Sequence, residues 1–375
     1  MERIKFVEGY RGFATMMVFF LHFSATFYPA INYGIEYSRA SGMDFYFGHS
    51  PLAFIMNGNT GIVIFLLISG FGTYIAMQSE EFNEKKYLIT RWFKLMALTL
   101  IGGLSVLLLV KLNLIYLEEF LNMAPNPWLI HFKPWLVNFF DVLVHNPLLS
   151  MERYNYPLWT MKLFFIGALL SYILCKLLFK NIKKNLIVYS IFIFIMVINN
   201  DMYYIPCILG VFLGEVYVKK ILIKPWQALT LFLVGVYLCA YPIYFPAYPT
   251  EGVHGLVGYP SFMKADFFIY YHSIGAALIL YACFSNVILR GIFESKFFQI
   301  LGKYSLTIYL LHCPVIISLS SWMFLKLPLE MRYSYRILMI FFVTVIVISM
   351  LSVPYRWLIK KTLKCIDVLY MRFVY

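Results

Sequence analysis

The sequence predicts an all-α membrane protein, a polytopic bundle of about ten transmembrane helices with both termini in the cytoplasm. Three observations lead there. Of the 375 residues, 62% are hydrophobic and 13% charged, with a mean hydropathy of +0.76, more apolar side chain than a water-soluble domain can bury. The apolar residues fall into ten runs, most of them near the roughly 20 residues that a spanning helix needs. The lysines and arginines, finally, collect on alternate connections between those runs.

In order, the runs lie at about 10–29, 60–78, 91–110, 158–178, 185–199, 203–218, 225–245, 268–289, 305–325 and 335–358. The fifth and sixth are short and suit half-helices. Ten-residue alternating strands are absent, which leaves helices as the spanning form. The first run is too long for a cleavable signal peptide and carries Arg11 and His22, so it reads as retained. With the N-terminus inside, the outer connections receive Arg39, Lys111, Lys133, Arg153, Lys264, Lys326, Arg332 and Arg336. Lys162 lies within the fourth run, and the other 22 of the 31 basic residues fall on the cytoplasmic side. Adding or dropping one helix scrambles that alternation.

The cytoplasmic connections are short and basic, with no room for a folded soluble domain. No internal repeat or linker divides the chain, so residues 1–375 read as one transmembrane domain. The outer connections at 30–59, 111–157 and 246–267 are longer and rich in aromatics and proline. Within them, residues 125–149 are amphipathic but too interrupted to span, and read as lying in the outer interface. Tyr33, Tyr37, Tyr46, Trp128 and Trp135 fit an aromatic belt or a stacking surface for sugar rings. The formal charge of +13 reflects the cytoplasmic bias rather than a nucleic-acid partner. Six cysteines stand singly, without CxxC spacing, which argues against disulfides or a metal cluster. No metal is expected.

Several residues stand out chemically. His22 sits eleven residues beyond Arg11, about 16 Å along a helix, which puts an imidazole near the hydrocarbon centre. Ionisable groups at that depth are costly and mark function or a satisfied polar contact within the bundle. His312 enters a later run at a broadly similar depth, and two imidazoles at matched depth point to a shared polar site. Arg91 and Lys94 share one helix face at the cytoplasmic surface, where two cations serve a pyrophosphate or a plain positive-inside anchor. Ser69 and Gly70 are small residues of the kind that let helices approach closely.

Arg11 and His22, separated by ten residues in EGYRG…FLHFS, resemble the R-X10-H signature of the acyltransferase-3 family of integral membrane acyltransferases. GIVIFLLISGF (61–71) is similar to that family's FF-x-x-SGF segment, RWFK (91–94) to its R-x-x-R, and LWTM (158–161) to its LWTM stretch. LGVFLGE (209–215) and LGKYSLTIYLLH (301–312) resemble its later segments. The resemblance runs from residue 6 to about 316. Two departures stand out: Lys94 replaces an arginine and loses the bidentate fork, and Phe164 stands where an acidic residue often follows LWTM. The last run also lacks an acidic-x-Pro ending.

The resemblance implies a stand-alone O-acyltransferase, O-acetyltransferase in particular. It would move an acyl group from cytoplasmic acyl-CoA (acetyl-CoA in the first instance) to a hydroxyl of a cell-surface carbohydrate or glycolipid. The setting is the cytoplasmic (inner) membrane. His22 is then the general base, since imidazole titrates near neutral pH. Arg11 orients the donor or stabilises developing charge, and His312 orients donor or acceptor. Arg91, Lys94 and Ser69 fall among the donor-binding residues. Two other classes fit the same features: a transporter or flippase for a polar lipid or glycan, which also uses intramembrane histidines and broken helices, and an inactive scaffold, given Phe164 and Lys94. The sequence sets no oligomeric state. The charge bias makes a topological prediction. A reporter fused after Tyr375 should report from the cytoplasm and one inserted near Pro125 from the outside; an outward C-terminus refutes the ten-helix arrangement.

Overall fold

The computed structural model describes residues 4–33, 47–48, 50–123, 129, 138–242 and 267–374. Among them every regular element is helical. Each predicted run carries a helix: α1 Lys5–Phe27, α2 Gly58–Met77, α3 Glu84–Lys111, α4 Thr160–Leu177, α5 Ile182–Ile198, α6 Ile205–Val218, α7 Pro225–Cys239, α8 Phe268–Ser285, α9 Lys296–Lys326 and α10 Ile337–Val374. Six of these, α2, α3, α4, α8, α9 and α10, are long and apolar enough to cross a membrane. Helix α1 has 23 residues, yet Arg11, His22 and several hydroxyls lower its hydropathy. Its apolar side chains are instead buried in protein, with Ala14, Met17, Val18 and Phe27 all but inaccessible. Helices α5, α6 and α7 have 17, 14 and 15 residues. At about 1.5 Å per residue none reaches the roughly 30 Å of a hydrocarbon core when straight and upright.

The helix ends differ from the predicted runs for local reasons. The eighth run breaks at Asn286, whose side chain accepts from the backbone N–H groups of Ile288 and Leu289 and starts a new helix, Val287–Glu294. Helix α9 begins nine residues before the predicted Ser305, because the Lys296–Tyr304 stretch, too polar to extend the apolar run, is already helical, with Gly302 buried against the backbone of Glu8. Helix α10 runs on past the apolar run into a basic tail carrying Lys360, Lys361 and Lys364. Of the amphipathic 125–149 stretch, Phe139–His145 is a short helix started by Asn138, whose side chain accepts from Asp141 N. Its Phe139, Phe140, Leu143 and Val144 are exposed. Tyr33 ends the short helix Pro29–Tyr33; Tyr37, Tyr46, Trp128 and Trp135 lie outside the described residues. All six cysteines are free.

The chain divides into two interleaved units, Met1–Leu21 with Phe45–Phe82 and Ile166–Ser305, and His22–Asp44 with Asn83–Phe165 and Leu306–Tyr375. In the first, α2 and α6 pack through glycine. A Cβ on Gly70 would lie 2.1 Å from Cys207 O, and one on Gly210 would lie 2.1 Å from Leu67 O. Each helix thus rests its bare backbone on the other's carbonyls. A carboxylate is buried nearby on α6. Glu215 accepts from Asn185 Nδ2 and Tyr189 Oη, both at 2.8 Å, and pairs with Lys219 Nζ at 2.5 Å, which compensates a charge that would otherwise be very costly to bury. In the second unit, Phe27, Phe120 and Phe324 interlock with centroids 5.2–5.7 Å apart, and Ser105 of α3 bonds Tyr355 of α10 at 2.6 Å.

The glycine contact gives a paired prediction. Gly70→Ala forces α2 and α6 apart and should cost about 1–3 kcal/mol. Gly72, whose Cβ would meet nothing within 4 Å, should gain up to about 1 kcal/mol as Ala from helix propensity alone. Thermal unfolding of the two variants in detergent checks the sign of each.

Candidate active site

The site is built from α1 and α9, which place His22 and His312 in the second unit. His22 is 7% exposed and His312 fully buried. Their rings lie 5.0 Å apart between centroids and within 7° of parallel, and His22 Nδ1 is 2.7 Å from His312 Nε2. The protons can be assigned from the partners. His312 Nδ1 sits 3.0 Å from the carbonyl oxygen of Ile308, which only accepts, so Nδ1 carries the hydrogen. In the neutral ring, His312 Nε2 is then the acceptor, and His22 Nδ1 must donate to it. His22 Nε2 is left with the basic lone pair.

Other side chains enclose the pair. Tyr156 meets the His22 ring edge-on at 6.1 Å, and Tyr309 meets that of His312 at 5.8 Å. The segment Asn155–Thr160, a 3-10 turn running into α4, is bonded to the turn of α9 that carries His312. Asn155 Nδ2 donates to Leu310 O at 2.8 Å. Tyr309 Oη lies 2.7 Å from Thr160 Oγ1 and 3.0 Å from Pro157 O. Directly after His312, α9 contains Pro314 and then a π-helical stretch, Ile316–Ser320, a distortion often found at functional sites. The π stretch is itself held, for Tyr116 N donates to Ile317 O and Ser320 Oγ meets Thr344 Oγ1 at 2.7 Å.

Cys313 Sγ lies 3.8 Å from His22 Nδ1, so His22, His312 and Cys313 offer three ligand atoms within 4.8 Å of one another. Two nitrogens bound to one tetrahedral zinc at about 2.0–2.1 Å stand about 3.3 Å apart. As they stand, the two nitrogens are at hydrogen-bond distance, 2.7 Å apart.

The remaining predicted site residues lie elsewhere. Arg11 belongs to the first unit, where its Nη2 donates to Glu8 Oε1 at 2.5 Å and to Gly302 O at 2.9 Å. That reach depends on Gly12 and Gly302, since a Cβ on Gly12 would lie 2.4 Å from Gly302 N. Ser69, half-buried in the first unit, offers its carbonyl to Thr73 Oγ1, and its neighbour Gly70 makes the close helix contact. Arg91 donates to Tyr87 Oη at 3.2 Å and lies over that ring, while Lys94 pairs with Asp367 of α10 at 3.1 Å. Phe164 is half-buried in α4.

Thr160 and Tyr309 stand within motifs of the sequence that assign them no role, and Asn155, Tyr156 and Asp367 stand outside those motifs. One signal was visible: Asp367 is the lone acid among the tail lysines. The joining of Asn155 to α9 had none, because 155 residues separate it from Leu310.

A family model described as an acyltransferase domain matches residues 4–355 of the chain. No curated protein and no solved structure matches it.

The Lys94–Asp367 pair is half-exposed and of the kind that contributes little to stability. It nevertheless occupies one of the two cations at the start of α3. Asp367→Asn should therefore tighten binding of a polyanion such as CoA by up to about fivefold, read as Kd by titration of the purified protein. Weaker binding in Asp367→Asn would make the pair a scaffold for that surface rather than a competitor for it.

Proposed function

The chain belongs to the acyltransferase-3 family and is a membrane acyltransferase, and on that premise we propose the reaction and its residues. An acyl group, acetyl in the first instance, passes from cytoplasmic acyl-CoA to a hydroxyl of a cell-surface carbohydrate or glycolipid. The whole chain acts as one acyltransferase domain of ten spans in the cytoplasmic (inner) membrane, with both ends on the CoA side. The observation that supports this best is the buried His22–His312 pair.

His22 Nε2 removes the proton of the acceptor hydroxyl as its oxygen attacks the thioester carbonyl. A tetrahedral intermediate forms and collapses with cleavage of the C–S bond, and the imidazolium returns the proton to the departing thiolate. Acceptor and thioester become ester and free thiol, with no net proton taken up. His312 Nε2 accepts from His22 Nδ1–H, the position that a carboxylate takes in hydrolase triads. It fixes the His22 tautomer and supports the charge that develops on its ring. That arrangement accounts for Phe164: with a second imidazole orienting the base, an acid on α4 is not required for the purpose. We assign no metal to the pair.

Arg91 and Lys94 hold the phosphates of CoA, with Lys94 exchanging Asp367 for the ligand. Arg11 orients the donor or stabilises the developing oxyanion, its charge kept in place by Glu8 and the Gly302 carbonyl. Ser69 is assigned to the donor side by its place in the SGF segment.

The test is His22→Gln, which keeps a hydrogen-bonding side chain but cannot take up a proton near neutral pH. A general base contributes about 10²–10⁴-fold to rate, so turnover should fall by that factor while acyl-CoA still binds. Near-normal acyl transfer by the variant removes His22 as the base. Translocation of a glycolipid by wild-type protein, dependent on His22 and without acyl-CoA consumption, would establish the flippase reading instead.

A further inference from the structure

Resting on the assignment of His22 and His312 as the reacting pair, we propose that Asn155 is a positioning residue: its side-chain amide takes the place of the backbone N–H that Pro314 lacks, and so sets where α9 presents His312. In an α-helix each carbonyl accepts from the N–H four residues on. Pro314 has none to give, so the carbonyl of Leu310 loses that donor. Asn155 Nδ2 donates to that carbonyl at 2.8 Å. The carbonyl can only accept, so the group facing it is the NH2, which also fixes the orientation of the amide. Asn155 is fully buried, and its Oδ1 makes no hydrogen bond. The side chain is thus held through its donor alone.

The position of this bond matters more than its strength. Leu310 is two residues from His312, on the turn where His312 Nδ1 already bonds Ile308 O. Beyond Pro314 the helix widens into the π stretch. A helix freed at one carbonyl and widened just beyond it can shift or roll by a fraction of a turn. The Asn155 amide opposes that at the residue where the loosening begins, and the hydroxyls of Tyr309 and Thr160 act one residue earlier. The neighbouring Tyr156 lies against His22, so one segment buttresses both imidazoles. A shift of about 1 Å is enough to spoil a catalytic contact, and the contact at stake is the 2.7 Å bond between the rings.

Because the missing donor is proline's, it can be restored in the chain itself. Pro314→Ala supplies an N–H to Leu310 O and should make the Asn155 amide dispensable. The experiment is a double-mutant cycle of Asn155→Ala and Pro314→Ala in purified protein. It has three readouts: the thermal unfolding midpoint, the shared imidazole proton of the histidine pair in NMR spectra of ¹⁵N-histidine-labelled protein, and CoA released from acetyl-CoA with octyl glucoside as acceptor. In the wild-type background Asn155→Ala should lower the midpoint, shift or abolish the shared-proton signal, and reduce kcat about ten- to a hundredfold with donor KM within about twofold. In the Pro314→Ala background the same substitution should change kcat by less than about threefold and restore the signal. If Asn155→Ala does not fold, the double variant should.

Additive effects on midpoint and signal, or a double variant that also fails to fold, overturn the proposal. It is also overturned if Asn155→Leu, which keeps a side chain of similar volume but has no donor, retains wild-type turnover and the wild-type shared-proton signal. Wild-type CoA release by His22→Gln, with the Asn155–Pro314 coupling intact in midpoint and spectrum, condemns the assignment of the base and leaves the positioning bond standing.

Discussion

A hydrogen bond between two imidazoles buried in a hydrophobic bundle is the contact on which the site depends. Neither ring is tolerable there alone, because an unsatisfied polar group in an apolar medium costs several kcal/mol. Together they form a chain with one direction: His22 Nδ1 to His312 Nε2, and His312 Nδ1 to the carbonyl of Ile308. The backbone carbonyl sets that direction, and through it the nitrogen of His22 that keeps its lone pair. A main-chain carbonyl four residues before His312 thereby decides which atom of the site is the base.

Fixing such a chain requires a stiff α9, yet α9 carries the features that loosen helices, a proline and a π stretch. Donors from other segments meet two carbonyls of this stretch: Asn155 that of Leu310, and the Tyr116 backbone that of Ile317. Serines along the same stretch bond back to carbonyls four or five residues away. The irregular backbone is therefore satisfied within protein, the condition under which non-helical backbone persists at membrane depth. The first unit solves a related problem with charge. Glu215 is ringed by Asn185, Tyr189 and Lys219, and Asn185 also bonds both backbone groups of Phe179, so one buried carboxylate fastens α5, α6 and the connection before α5.

The basic surface at the start of α3 works by different physics. Arg91 and Lys94 are half-exposed and lean on Tyr87 and Asp367. Water and salt screen both contacts, so a multiply charged ligand can displace them. The buried Glu215 carboxylate resists exchange, because parting it from Lys219, Asn185 and Tyr189 leaves a buried charge without compensation. Burial of the acid, 1% exposed at Glu215 against 49% at Asp367, separates the pair that holds the fold from the one whose cation can change partners.

The sequence by itself determined the all-helical membrane class, the helix that each of the ten apolar runs carries, and the alternation of apolar and basic stretches along the chain. Each of these follows from hydropathy or charge along the chain, properties that neighbouring residues carry without reference to the fold. It also offered both readings of Ser69–Gly70, and the packing one is what Gly70 displays against Cys207. What tertiary structure decided is which polar groups meet. Helix α1 is apolar enough on paper to face lipid at many positions, yet it is buried in protein. The extension of α10 to an aspartate that pairs with Lys94, and the reach of Asn155 to a carbonyl 155 residues away, are settled only when the helices are packed. A hydrogen bond depends on distances of a few tenths of an ångström, and periodicity along a chain fixes faces and depths but not those distances.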